Sequence, residues 1–527
     1  MTGQTPRSAW RDGLGMLALI LVWLAATAWM RPLVLPDEGR YAAVAWEMLR
    51  SGDWFTPTLN GLPFFHKPPL FYWITGAALS VLGPTEMAAR AASLAGAALA
   101  ALSLYLFTRR WCGPQVARRA LWVLLVQPLF YVGAQFANLD MLVAGCITAT
   151  TLALAHAALC FEQGQPHRRV LLLAYGLAAL GVLAKGLIGF VIPSMVIGLW
   201  LVLRWRWLTA LALLSLPGLA LFLLVAAPWF LAMQQRFEGF LHYFFVVQHF
   251  QRFSAGGFNN AQPFWFYPAV LALLSLPALL WARGLFERAY YTDSAIPQHV
   301  AVRQFMAVAV ACVLVFFSLP QSKLIGYILP AVAPLAWLMA DASQKASAAP
   351  SRQRWWWATL ALSALLGLAV VVGLTVDQRH SRRSLGLALG ERHVPGQPVF
   401  MLKTYLYDVP FYARLQEPVF VVDDWNNPEI ALRDNWRKEV ADAGQFAPKL
   451  AARLLLTPES LPAALCRVPV SWVIAAGDLR ERYPFLALAE VVNTARGETL
   501  WRIDSRQSAQ FTALNCAGTP NGDSAGK

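Results

Sequence analysis

Acidic side chains are sparse through the apolar part of this sequence, and at its outer boundary Asp37, Glu38 and Asp140 stand out. A carboxylate there can accept a proton from an attacking hydroxyl or stabilise a cation that develops during reaction. It can also do something plainer, accepting backbone N–H groups as a helix cap. An ionisable group at a bilayer boundary is costly unless it is paired or used. Facing the acids is a set of cations, Lys67, Arg90, Lys185, Arg252 and Lys323. A lone lysine at a helix end usually snorkels to water. Several cations around one vestibule would instead suit a phosphate, through charge-assisted hydrogen bonds. His66 and His249, each among aromatics, are candidate ligands for a divalent metal such as zinc. A single histidine is more often a hydrogen-bonded structural residue.

The elements that must position these residues are membrane spans. Of 527 residues, 57% are hydrophobic and 14% charged, too few polar groups to cover a soluble protein of this length. Apolar runs of about 18 or more residues mark spanning helices, because lipid cannot satisfy an open backbone. Such runs recur at 13–31, 87–108, 119–135, 141–160, 170–184, 186–203, 208–232, 263–283, 303–318, 324–341 and 355–375. They predict about eleven spans in a multispanning domain over 1–375.

The formal charge of +14 does not point to nucleic acid, because no basic run is interleaved with stacking aromatics. The arginines cluster between apolar runs, at 109–110, 118–119, 168–169 and 204–206, the bias that marks cytoplasmic loops. This puts the N-terminus in the cytoplasm, residues 32–86 in a long first outer loop, and the polar tail outside. Within that loop, Tyr41, Val44, Ala45, Met48 and Leu49 follow helical spacing and Gly52 ends the helix. Such an amphipathic helix can lie in the membrane interface. Residues 57–61 have turn chemistry.

Residues 376–516 read as a mixed α/β domain, with buried strands at 398–402, 418–422 and 470–475. Residues 517–527 have the composition of a disordered tail. Cys466 and Cys516 could pair in an oxidising compartment or remain free thiols. Cys112, Cys146, Cys160 and Cys312 fall in or beside the spans as small apolar residues.

In order within the first loop stand Pro36-Asp37-Glu38-Gly39-Arg40-Tyr41, Gly52-Asp53-Trp54, Leu59-Asn60-Gly61 and His66-Lys67-Pro68-Pro69-Leu70-Phe71-Tyr72-Trp73. Downstream follow Asn138-Leu139-Asp140, Lys185-Gly186, His249-Phe250-Gln251-Arg252-Phe253, Pro263-Phe264-Trp265-Phe266-Tyr267 and Ser322-Lys323-Leu324-Ile325-Gly326-Tyr327. Together these strongly resemble the bacterial lipid A aminoarabinose transferases and their protein mannosyltransferase-like relatives, over about residues 15–340.

The resemblance implies a polytopic α-helical glycosyltransferase C-type fold carrying the mixed α/β domain. It implies an inverting inner-membrane enzyme using a polyprenyl-phosphate sugar donor, with lipid A or another envelope molecule as acceptor. By the same resemblance Asp37 is the first-loop carboxylate essential to catalysis and Asp140 the second acid of the cavity. Lys67 is the phosphate-contacting lysine and His249 a metal-binding histidine. No nucleotide cofactor is expected, and the other partners are membrane lipids. The chain departs from the usual Glu-Lys-Pro of these transferases at His66-Lys67-Pro68. Two alternatives stay open: a protein O-mannosyltransferase, and a flippase or transporter of polyprenyl-linked sugars. Transporters usually carry charge near the midplane and related halves, whereas here the acids sit at one boundary and no halves are visible.

Overall fold

The computed structural model describes residues 6–251, 260–294 and 297–516, so the 517–527 tail and Arg252 lie outside the described residues. The chain divides into two compact units. One comprises Met1–Arg31, His66–Ala78 and Thr85–Val376; the other comprises Pro32–Phe65, Leu79–Pro84 and Asp377–Lys527.

The elements up to residue 376 include, in chain order, α1 (Pro6–Ala25), α2 (Asp37–Ser51), β1 (Thr58–Leu59), β2 (Leu62–Pro63), α3 (Leu70–Leu82), α4 (Ala91–Cys112), α5 (Pro114–Val126), α6 (Pro128–Ala134), α7 (Leu139–Glu162), α8 (Arg168–Lys185), α9 (Ile188–Leu203), α10 (Leu216–Arg236), α11 (Pro297–Ser318), α12 (Leu329–Ala346) and α13 (Pro350–Val376), with shorter helices such as Phe266–Leu274 between them. Each predicted span contains a helix, but the expected count of about eleven is not reached by helices long and apolar enough to cross alone. Among the described residues six pass: α4, α7, α10, α13, Gln298–Ser318 and Ile325–Gln344. A seventh exists if α5 and α6, bent by 66°, form one span. Pro128 causes that break. It lacks an N–H and forces Gln127 out of the helical region, to φ −65° and ψ 122°. Hydropathy counts such broken or short segments as full spans.

The helical unit packs on small residues. A Cβ added at Gly145 would strike the Gly96 backbone, and one added at Gly96 would meet Leu142 Cα at 2.5 Å, so α4 and α7 touch main chain to main chain. Small residues allow this close approach where no hydrophobic effect drives helices together. It fixes the N-terminal end of α7, where Asp140 stands.

The second unit is built on a six-stranded sheet. Its strands are β3 (Val399–Leu402), β4 (Phe420–Val422), β5 (Leu455–Leu456), β6 (Val470–Ala476), β7 (Glu490–Ala495) and β8 (Glu498–Asp504), ordered β5-β4-β3-β6-β8-β7. The first four are parallel, with Phe400 opposite both Phe420 and Val473, while β8 runs antiparallel to β6 and β7. The order reverses between β3 and β6, the point where such sheets open a crevice at the carboxyl ends of their strands. Phe400, Val422, Val473, Trp501 and Ile503 form the core, which also contains Cys516. Cys466 and Cys516 are joined as a disulfide, with Cα atoms 5.5 Å apart.

Residues 32–65 belong to this unit with the tail, and not with the spans as the sequence suggested. The reason is backbone satisfaction. The Asn60 side chain donates to Val419 O and accepts from Val419 N–H, both at 2.8 Å, Leu35 N–H donates to His380 O at 2.7 Å, and Leu33 N–H donates to Tyr412 Oη at 2.8 Å. Helix α2 ends at Gly52 in the left-handed region, as predicted. Its apolar face is buried protein interior and not a membrane-interface surface: Tyr41, Val44, Ala45 and Met48 are all buried. β1 and β2 pair across Asn60-Gly61, whose φ values of 55° and 75° suit a tight hairpin.

Candidate active site

In the helical unit, Asp140 is the second residue of α7, after Asn138, whose side chain accepts the Asp140 N–H at 3.0 Å. Asn138 therefore caps the helix, and the Asp140 carboxylate is left for other work. It forms an ion pair with the Lys185 ammonium at the last residue of α8. Lys185 Nζ also lies 4.5 Å from the centre of the Tyr327 ring. Gly326 completes the group, since a Cβ there would collide with the Asp140 carboxylate. Two residues named from sequence, Asp140 and Lys185, are thus in direct contact, joined by Gly326 and Tyr327.

In the second unit, Asp37 opens α2 with its side chain 48% exposed. Its carboxylate accepts from Arg40, one turn on. The other arm of the Arg40 guanidinium donates to Glu439, in the helix α14 (Trp436–Gln445), and Tyr407 Oη donates to the second Glu439 oxygen at 2.6 Å. Burial opposes the charge of Arg40, but Glu439, Tyr41, Asp37 and Tyr407 together hold it firmly protonated. Burial pushes Glu439 above the ordinary carboxylate range, against the pull of Arg40 and the Tyr407 hydrogen bond.

Three expected site residues make structural contacts. Glu38 is fully buried and accepts the Val34 N–H at 2.9 Å, closing the turn into α2. Arg90 is fully buried and donates to Ala28 O at 2.6 Å and Arg31 O at 3.0 Å. Its guanidinium neutralises carbonyls where α1 ends and α4 begins. Lys323 is buried, with its ammonium on Gln262 O at 2.8 Å and Pro320 O at 2.5 Å, and it fastens one loop to another.

Lys67 is partly buried in the helical unit. His66, beside it, is buried 6.1 Å from the Tyr243 ring centre. The His249 side chain lies outside the described residues. Among the described residues no three His, Cys, Asp or Glu side chains gather to hold a metal.

Sequence reasoning missed Arg40, Tyr327 and Glu439. The i,i+3 spacing of Asp37 and Arg40 on a helix was a usable signal for the first. Nothing local marks Glu439, 399 residues from Arg40.

Residues 66–231 match the family model described as dolichyl-phosphate-mannose-protein mannosyltransferase. An undecaprenyl phosphate-alpha-4-amino-4-deoxy-L-arabinose arabinosyl transferase of Sodalis glossinidius is 37% identical over 334 residues, 62% of this chain and 58% of that protein. The corresponding transferase of Pectobacterium atrosepticum is 32% identical over 376 residues, 68% of this chain and 66% of that protein. The chain belongs to the lipid A aminoarabinose transferase and protein mannosyltransferase-like family. The match spans 58% of the length of the first of these relatives. Among solved structures, ArnT from Cupriavidus metallidurans bound to undecaprenyl phosphate superposes with a TM-score of 0.76 at 22% identity, covering 93% of this chain and 97% of that one. The fold is therefore the glycosyltransferase C type, with a C-terminal α/β domain, in a multi-pass membrane protein.

Proposed function

We propose that this protein is an inverting glycosyltransferase that moves 4-amino-4-deoxyarabinose from undecaprenyl phosphate to lipid A on the outer face of the inner membrane. The observation that carries the reading is the Asp140–Lys185 pair, a held cation at the end of α8 in a chain 37% identical to a transferase of that donor. Breaking the anomeric C–O bond leaves the electron pair on the carrier phosphate, so fixed cations lower the barrier. Lys185, oriented by Asp140, and Lys67 supply those cations. Asp37 takes the proton when the acceptor is a hydroxyl. With an anionic lipid A phosphate as acceptor, Asp37 stabilises the sugar as positive charge develops at its anomeric carbon.

The outer orientation of the α/β domain is supported by the basic clusters at 109–110, 118–119, 168–169 and 204–206. The Cys466–Cys516 disulfide, suited to an oxidising compartment, agrees. The test is mass spectrometry of lipid A from a strain lacking its own transferase and expressing this chain. Lipid A carrying one added aminopentose, lost with Asp37→Asn at equal protein level, is the expected result. Unmodified lipid A together with O-mannosylated envelope proteins would move the acceptor to protein. Donor translocation into vesicles without covalent transfer would replace the enzyme with a flippase.

A further inference from the structure

We propose that Glu439 is a positioning residue for Asp37, acting through Arg40; the proposal rests on the reading of Asp37 as the reacting carboxylate. The three side chains form one line from interior to surface, the Glu439 side chain 7% exposed, Arg40 13% and Asp37 48%. One guanidinium serves both acids through different nitrogens, Nη1 to Glu439 and Nη2 to Asp37. Because the guanidinium is planar, holding one arm sets the direction of the other. The inner end is anchored from the sheet. Tyr407 lies in the connection that leaves β3 at the order reversal and donates to Glu439 at 2.6 Å. Tyr41 and Tyr407 flank the guanidinium, their ring centres 5.0 and 5.9 Å from Cζ.

Burying a carboxylate this deeply is costly unless it is paired. Apolar side chains often stabilise such a position as well as a buried ion pair does, so a buried pair is weak evidence of a purely stabilising role. Geometry supplies another. Glu439 holds one arm of the Arg40 guanidinium, so the other arm aims the Asp37 carboxylate. The charged or titratable groups around Glu439 include Arg40, Tyr407, Asp434, Asp37 and Tyr405.

The test compares full-length wild type, Glu439→Gln, Glu439→Asp and Asp37→Asn in membranes supplied with undecaprenyl-phosphate aminoarabinose and purified lipid A. Rates are measured across pH, with thermal unfolding in detergent as the measure of folded protein. In Glu439→Gln the whole Arg40 charge falls on Asp37. The acidic limb of the rate profile then moves down by about half a pH unit, and kcat falls about tenfold with the donor KM unchanged. Glu439→Asp, which keeps the charge, returns the limb to its wild-type position. A Glu439→Gln profile that keeps its shape and loses rate only in step with folded protein overturns the positioning role. So does a wild-type rate and profile in that variant. An Asp37→Asn variant with full rate overturns the reading of Asp37 itself, whereas an inactive Asp37→Asn beside an unshifted Glu439→Gln overturns the positioning role alone.

Discussion

Lys185 ends α8 with its ammonium on the carboxylate of Asp140, the second residue of α7. Both side chains are mostly buried, 14% and 12% exposed. In such surroundings a paired charge stays put, and removing one partner strands the other. Lys185→Gln and Asp140→Asn should each lower the transfer rate about a hundredfold, because each removes or misdirects the same cation. The double variant should be little worse than either single one, since the two act as one unit. Rates of aminoarabinose transfer in membranes from the four proteins check this. Strictly additive losses would mean that the side chains act separately.

Gly326 bears on the same carboxylate from the 3-10 turn before α12. A Cβ at that position would collide with Asp140. Gly326→Ala should therefore behave as a mild Asp140 lesion, a loss of about tenfold in kcat with small change in unfolding temperature. Full activity in Gly326→Ala would show that the carboxylate can move aside without consequence.

What the sequence made legible depended on how local the physics was. Asp140 and Lys185 stood out because each ends an apolar run. The strands at Val399–Leu402, Phe420–Val422 and Val470–Ala476 stood out as buried runs bounded by turns. The β7–β8 hairpin did not, because strands half open to solvent carry Glu490, Asn493 and Glu498 among their apolar residues. For Arg90 and Lys323, side-of-membrane reasoning locates a cation without revealing the carbonyls it serves. The Arg40–Glu439 contact spans most of the chain, and only the folded sheet brings it about.

Glu47 holds the β1–β2 hairpin in shape. Its buried carboxylate accepts from Thr58 Oγ1 at 2.7 Å, Asn60 N–H at 2.7 Å and Gly61 N–H at 2.9 Å. Glu47→Ala strands these donors, and each stranded buried donor costs about 1–3 kcal/mol. Residues 56–63 should then lose amide protection and become accessible to protease, while the β3–β8 sheet keeps its protection. Hydrogen exchange of the purified protein measures both regions in one experiment. Unchanged protection at Asn60 and Gly61 would contradict the role.

Asp408 gives the α/β unit a stability that depends on pH in an unusual direction. The side chain is fully buried at the start of the short helix Asp408–Tyr412 and accepts from Arg382 N–H at 2.7 Å and Ser381 Oγ at 3.2 Å. Burial dominates these hydrogen bonds and raises the group from its ordinary 3.8 to about 6. The folded unit thus holds this proton more tightly than the unfolded chain. The stabilisation is fully present below pH 3.8 and is lost as pH rises through about 6. Two pH units of displacement correspond to about 3 kcal/mol. Asp408→Asn keeps an acceptor oxygen and carries no charge, so it is spared this loss. Its stability relative to wild type should rise between pH 4 and pH 7 by up to about 3 kcal/mol. Hydrogen exchange of residues 377–413 in both proteins across that range reads the difference. Parallel curves would mean that Asp408 remains ionised in the folded protein throughout.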